Sequence, residues 1–108
     1  MTVNELVQRA HERAKKSGWW DPAKSPVECH MLMVSELAEA TEEVRKSNPD
    51  VYIDNITGKP EGEAIELADC IIRIADYCGY KGWDLEQLLI AKMDFNDTRP
   101  HRHGNKKY

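Results

Sequence analysis

Ser35-Glu36-Leu37-Ala38-Glu39-Ala40 sets two carboxylates three residues apart in a helix-forming, partly apolar run. Ile65-Glu66-Leu67-Ala68-Asp69 repeats the spacing further along the chain. On a helix, positions i and i+3 share a face. Two such helices facing one another bring four carboxylates together. Like charges repel, and burying them is costly unless a cation sits among them. A hard divalent ion with oxygen ligands meets that need, and an all-oxygen donor set favours Mg²⁺ or Mn²⁺ over zinc or copper.

The flanking residues say where these pairs lie. Ser25, Pro26 and Glu28 are start signals for a helix that runs to about Lys46, before Asn48-Pro49 stops it. At roughly 100° per residue, Met33, Leu37, Ala40 and Val44 cluster on one side. Glu36, Glu39 and Glu43 form the adjoining arc with Leu32, at the margin of the buried face. A solvated acidic face normally lies opposite it. The second pair sits in a helix expected from about Glu61 to Cys78, with Gly79 as its stop. Leu67, Ala68, Cys70, Ile71, Ile72, Ile74, Ala75 and Cys78 cover more than half its circumference. A helix this apolar belongs in a core or at a subunit interface. One narrow polar strip cuts into it: Glu66, Asp69, Arg73 and Asp76, flanked by Glu63. Arg73 can pair with Asp69 or Asp76 at helical spacing.

Two further helices complete the reading. Thr2 and Glu5 form a capping box for a first helix over Val3 to Lys16, with Leu6, Val7, Ala10 and Ala14 as its apolar stripe. Gly18-Trp19-Trp20-Asp21-Pro22 then makes a loop with two adjacent tryptophans, which either anchor it to the core or stack on a ligand. Asn48 to Pro60 is irregular and rich in turn residues, with Val51-Tyr52-Ile53 as a short extended piece. Asp84 and Gln87 open a fourth helix that ends before Pro100. The expected fold is all-α: a single domain over 1–108 with a four-helix bundle-like protomer. A basic arm over 98–108 carries Arg99, Arg102, Lys106 and Lys107 with His101 and His103.

The totals exclude several classes. A formal net charge of -4 argues against a nucleic-acid polymer as partner. The apolar runs are too short to span a membrane, and Met1 to Ala10 has no signal-peptide core. Cys29, Cys70 and Cys78 are odd in number and lie in helical patterns, which fits reduced thiols in the cytoplasm. No E-x-x-H is present, as a di-iron bundle requires. Neither a P-loop, a G-x-S-x-G nor a zinc-type Cys/His set appears. Mg²⁺ held by carboxylates usually meets substrate phosphates. Lys92, Arg99, Arg102, Lys106 and Lys107 are available to complete a phosphate site. The residues thus lead to Mg²⁺-dependent phosphate chemistry in a helical bundle, without choosing the bond.

The chain resembles the MazG-like all-α nucleoside triphosphate pyrophosphohydrolases. The family's E-x-x-E, spacer, E-x-x-D pattern is matched by Glu36, Glu39, Glu66 and Asp69. Lys92-Met93-Asp94-Phe95-Asn96-Asp97-Thr98-Arg99-Pro100-His101-Arg102-His103-Gly104 is similar to the K-M-x-Y-N-x-T-R-P-x-R-H-G ending of many bacterial members, with Phe95 for Tyr. The resemblance implies Mg²⁺-dependent cleavage between the α- and β-phosphates of a (deoxy)nucleoside triphosphate, in nucleotide-pool house-cleaning, with Mn²⁺ as a substitute ion. It implies metal ligation by Glu36, Glu39, Glu66 and Asp69. It further implies that Glu39 orients the attacking water with Glu36 as its catalytic neighbour, and that Lys92, Asn96 and Arg99 contact phosphate. His11 and Trp20 fall where relatives that prefer dCTP build a base pocket, but Arg73 stands where those relatives have a tyrosine. The resemblance also implies a homotetramer built as a dimer of dimers, or a homodimer. Two other readings stand beside it: a non-catalytic oligomeric helical module that regulates a partner, and a related all-α enzyme acting on phosphoribosyl-ATP.

Overall fold

A computed structural model describes residues 1–100. His101, Arg102, His103, Lys106 and Lys107 of the expected arm lie outside the described residues. The element order is α1 (Val3–Lys16), α2 (Pro26–Arg45), β1 (Tyr52–Ile53), β2 (Pro60–Glu61), α3 (Glu63–Lys81) and α4 (Leu85–Asp97). The four expected helices are present, and the protein is mostly helical.

Local chemistry accounts for the helix starts. Glu5 N–H donates to Thr2 Oγ1 at 3.1 Å, while the Glu5 carboxylate accepts from Thr2 N–H at 3.0 Å, a complete capping box. At α2 only half of the box forms, with Glu28 N–H donating to Ser25 Oγ at 3.2 Å. Asp84 accepts from Gln87 N–H at 3.1 Å and also from the Asn4 side chain, so the start of α4 is tied to α1.

α3 departs from expectation at both ends. It begins at Glu63, because Pro60–Glu61 pairs antiparallel with Tyr52–Ile53 as a small hairpin. It also runs through Gly79 to Lys81, and Gly82 caps it in the left-handed conformation (φ 72°). Gly79 has a packing role rather than a stopping one. A Cβ there would stand 2.6 Å from His11 Cβ, so the absent side chain lets α1 and α3 approach closely.

α3 lies between α1 and α2, and α4 leans on α1. The core is thin. Val7, Ala10, Ala75 and Cys78 form its centre, with Leu6 and Leu85 packed against it. Cys29, Ala40 and Cys70 are buried elsewhere, and all three thiols are free. The apolar circumference of α3 is only partly covered within one chain: Leu67, Ile71, Ile72 and Ile74 are exposed, as are Leu88, Leu89, Ile90, Met93 and Phe95 on α4. The radius of gyration is 16.6 Å, against about 13 Å for a compact chain of this length. No described helix is long and apolar enough to cross a membrane.

Candidate metal centre

The two acidic motifs converge where α2 and α3 pack. Glu36, Glu39 and Glu66 each offer a carboxylate oxygen, and these atoms lie within 4.8 Å of one another. Glu36 and Glu66 are buried at 6% exposure each, while Glu39 opens to solvent. The helix pattern explains the closeness. Glu36 and Glu39 sit one turn apart on α2, at the edge of the face that packs on α3, and Glu66 projects from the first turns of α3 toward them.

The cluster is electrostatically costly. Glu66 Oε2 is buried and has no hydrogen-bond partner. Burial, followed by the adjacent Glu39 carboxylate and the charges of Asp69 and Glu36, pushes the Glu66 carboxyl up to about 7. Asp69 is raised as well, first by desolvation and then by the charge of Glu36, with Lys59 and Arg73 opposing. A buried acceptor without a donor costs about 1–3 kcal/mol. A divalent cation fits here on two counts: the donors are all carboxylate oxygens, and Glu66 keeps a buried oxygen without a partner.

Asp69, expected as the fourth ligand, stands outside this triad. Its side chain is a methylene shorter and lies one turn along α3. It instead lines a cleft of about 510 Å³ that opens beside Glu36 and Glu39. Ala10 and Ala14 on α1 and Ser17 at its C-cap contribute small side chains to the cleft wall, and Trp19 and Ile72 add apolar surface.

Arg73 pairs with neither of the α3 carboxylates offered by its helical spacing. Its Nε donates to Glu36 Oε1 at 2.6 Å, across the α2–α3 interface. Its guanidinium also sits 4.5 Å from the centre of the Trp19 ring. Trp19 is held in turn by Lys24, whose ammonium lies over the ring and donates to the Trp19 carbonyl. The tryptophan loop therefore anchors the arginine that holds Glu36.

His11 and Trp20 both reach Asp76 on α3. Asp76 Oδ1 accepts from Trp20 Nε1 at 2.9 Å and lies 2.9 Å from His11 Nδ1. One face of Trp20 is stacked on Tyr80, with ring centres 3.9 Å apart and planes within 5°. Tyr80 was not singled out in the sequence, although it lies one turn beyond Asp76 on the same side of α3.

Lys92 and Asn96 lie on exposed turns of α4 and do not line the cleft, and neither does Arg99. Arg13 and Lys59, which the sequence reading passed over, do line it. The spacing of Ala10, Ala14 and Ser17 on one side of α1 is the signal that marks Arg13, because small residues at i, i+4 and i+7 leave an open face beside it. Lys59 is delivered by the hairpin. Tyr52 on β1 bonds both oxygens of Glu43 at 2.9 and 3.0 Å, and Asn48 donates to the same carboxylate. These bonds fasten the hairpin to the last turns of α2.

No family model, no curated protein and no solved structure matches this chain.

Proposed function

We propose that this protein is a Mg²⁺-dependent nucleoside triphosphate pyrophosphohydrolase of the MazG-like type, cleaving between the α- and β-phosphates to release a monophosphate and pyrophosphate. The observation that carries the reading is the orphaned Glu66 oxygen within a triad of carboxylates drawn from both acidic motifs. It is supported by an adjoining cleft of about 510 Å³, within the range of small-molecule sites.

In this proposal Glu36, Glu39 and Glu66 hold the ion, and Asp69 joins them from the cleft wall. A bound Mg²⁺ supplies charge neutralisation at the phosphates and lowers the pKa of a coordinated water. The chain's own residues supply position. Arg73 fixes one oxygen of Glu36, which orients the rest of that carboxylate toward the cluster, as hydrogen-bonded partners of ligating groups commonly do. Glu39 is the triad member open to solvent and so has access to a water, which it orients for attack. Burial of Glu36 and Glu66 keeps bulk water from competing for their lone pairs. The three buried thiols fit a cytoplasmic setting.

The proposal includes self-assembly, as a dimer of dimers or a simple dimer. The exposed apolar surface of α3 and α4 and the extended shape favour a further copy packed against them. In such an assembly, Lys92, Asn96 and Arg99 reach phosphates in a neighbouring copy's cleft. Light scattering after gel filtration tests this directly, and a monomer at assay concentration would remove that role for α4.

The central experiment is a nucleotide panel with Mg²⁺ in which monophosphate and pyrophosphate are followed separately. Expected is stoichiometric release of both from at least one triphosphate. Glu36→Gln and Asp69→Asn should each abolish turnover while helical content is kept. Orthophosphate as the only inorganic product would refute α–β cleavage. Absence of turnover on every nucleotide would favour the non-catalytic module.

A further inference from the structure

The cleft beside the triad is lined by charges of both signs. Glu36, Glu39, Asp69 and Asp76 line it together with three cations, Arg13, Lys59 and Arg73. Only one of the three is committed: Arg73 is bound to Glu36 and packed on Trp19. Arg13 and Lys59 make no ion pair among the described residues. Each is placed at the cleft by its element. Arg13 stands on the last turn of α1, where the helix C-terminus favours a cation. Lys59 sits at the base of the hairpin, where its backbone carbonyl accepts from Asp54 N–H at 2.9 Å and its N–H donates to Thr57 Oγ1 at 3.2 Å. The hairpin itself is fastened to α2 through Tyr52 and Glu43. Lys59 also borders a second, acidic hollow lined by Glu39 and Glu66. It thus stands beside all three members of the triad.

We propose that Arg13 and Lys59 are the polyphosphate-binding residues of this cleft, gripping the substrate's phosphate oxygens from α1 and from the hairpin while the acidic triad lies beneath. This deepens the proposed function and rests on it for the identity of the substrate. It assigns phosphate recognition to two residues of the same chain, independently of α4. A lysine and an arginine suit the task differently. Arg13 offers a planar fork of donors to two oxygens, and Lys59 a compact charge that follows the ligand on a flexible stem.

The probe is inorganic tripolyphosphate, titrated calorimetrically into the full chain with saturating Mg²⁺. Arg13→Gln and Lys59→Gln should each weaken binding by roughly tenfold, the scale of one charge-assisted hydrogen bond. The double variant should weaken it by about a hundredfold. Mn²⁺ binding to the triad, read by electron paramagnetic resonance without phosphate, should stay within about twofold in all three. Lys15→Gln, which removes the same charge from the last turn of α1 outside the cleft, should leave tripolyphosphate binding unchanged. Both tested positions are exposed, so helical content should not move. Unchanged affinity in Arg13→Gln and Lys59→Gln would overturn the assignment. So would equal loss in Lys15→Gln, which would show only long-range charge, or a wild-type protein that binds no tripolyphosphate. The nucleotide panel fails separately: tripolyphosphate binding lost on Arg13 and Lys59 substitution, with no nucleotide hydrolysed, would remove the enzymatic reading and keep the anion site.

Discussion

Replacing Glu66 by glutamine should make the protein more stable in mildly alkaline, metal-free solution, and less responsive to metal. Glu66 is buried, one of its oxygens has no partner, and its carboxyl is pushed up to about 7 from an ordinary 4.5, with desolvation as the leading cause. Between those two pH values the folded protein binds more protons than the unfolded chain. Stability therefore falls as pH rises through this window. Asp69, raised from 3.8, contributes with the same sign. Each pH unit by which a pKa is displaced corresponds to about 1.4 kcal/mol, so the Glu66 displacement sets an upper bound of about 3 kcal/mol. Solvent screening at the open Glu39 side reduces this, and about 1–3 kcal/mol is the expected loss between about pH 5 and about pH 8. Glutamine preserves the volume and cannot ionise, so Glu66→Gln should flatten most of that slope. In the wild type at about pH 8, Mg²⁺ at a hundred times its dissociation constant should restore about 2.7 kcal/mol. In Glu66→Gln at the same Mg²⁺ concentration it should restore well under about 1 kcal/mol. The assay is urea unfolding by circular dichroism in chelator and in Mg²⁺, at fixed protein concentration. A wild-type stability that is flat or rising across the window, or a Glu66→Gln variant with the wild-type slope and metal response, would refute the reasoning.

The other expectations concern what holds the site in place. Arg73→Gln removes the cation on Glu36 and should cost about 2 kcal/mol in chelator, between an exposed and a buried ion pair; Mg²⁺ should recover most of it, and loss that Mg²⁺ leaves untouched would make Arg73 a packing residue alone. Trp20→Phe retains a ring for stacking on Tyr80 and deletes the donor to Asp76. It should cost about 1–2 kcal/mol without changing tripolyphosphate affinity, whereas an unchanged unfolding midpoint would show that the Asp76 bond carries no stability. Gly79→Ala inserts a methyl 2.6 Å from His11 Cβ and should destabilise by about 1–3 kcal/mol through separation of α1 and α3; a gain in thermal midpoint from improved helix propensity would count against the close approach.

Local signals along the chain were sufficient for the helices. Thr2, Ser25 and Asp84 cap where their spacing says they should, and helical period alone places the acidic pairs at the edge of a buried face. The misreadings have physical reasons. Gly79 looks like a stop because glycine favours helix ends, but the nearness of α1 decides its place. Glu61 fits the helical pattern of α3, and nothing local reveals that Tyr52–Ile53 pairs with Pro60–Glu61. Arg73 had two carboxylate partners at helical spacing and took a third, 37 residues away, because Glu36 is buried beside it and without a donor of its own.

The sequence by itself determined which residue types can meet a cation, and on which helix faces they stand, because those properties follow from side-chain chemistry and a period of 3.6 residues. Tertiary structure decided the rest. It set which three of the four acids close within 4.8 Å, which oxygen is left without a partner, and which cations border the cleft. Those outcomes depend on how α1, α2, α3 and the hairpin are set against one another. That arrangement comes from packing a thin core around small residues such as Ala10, Ala40, Ala75 and Gly79, and contacts between residues tens of positions apart leave no periodic trace in the chain.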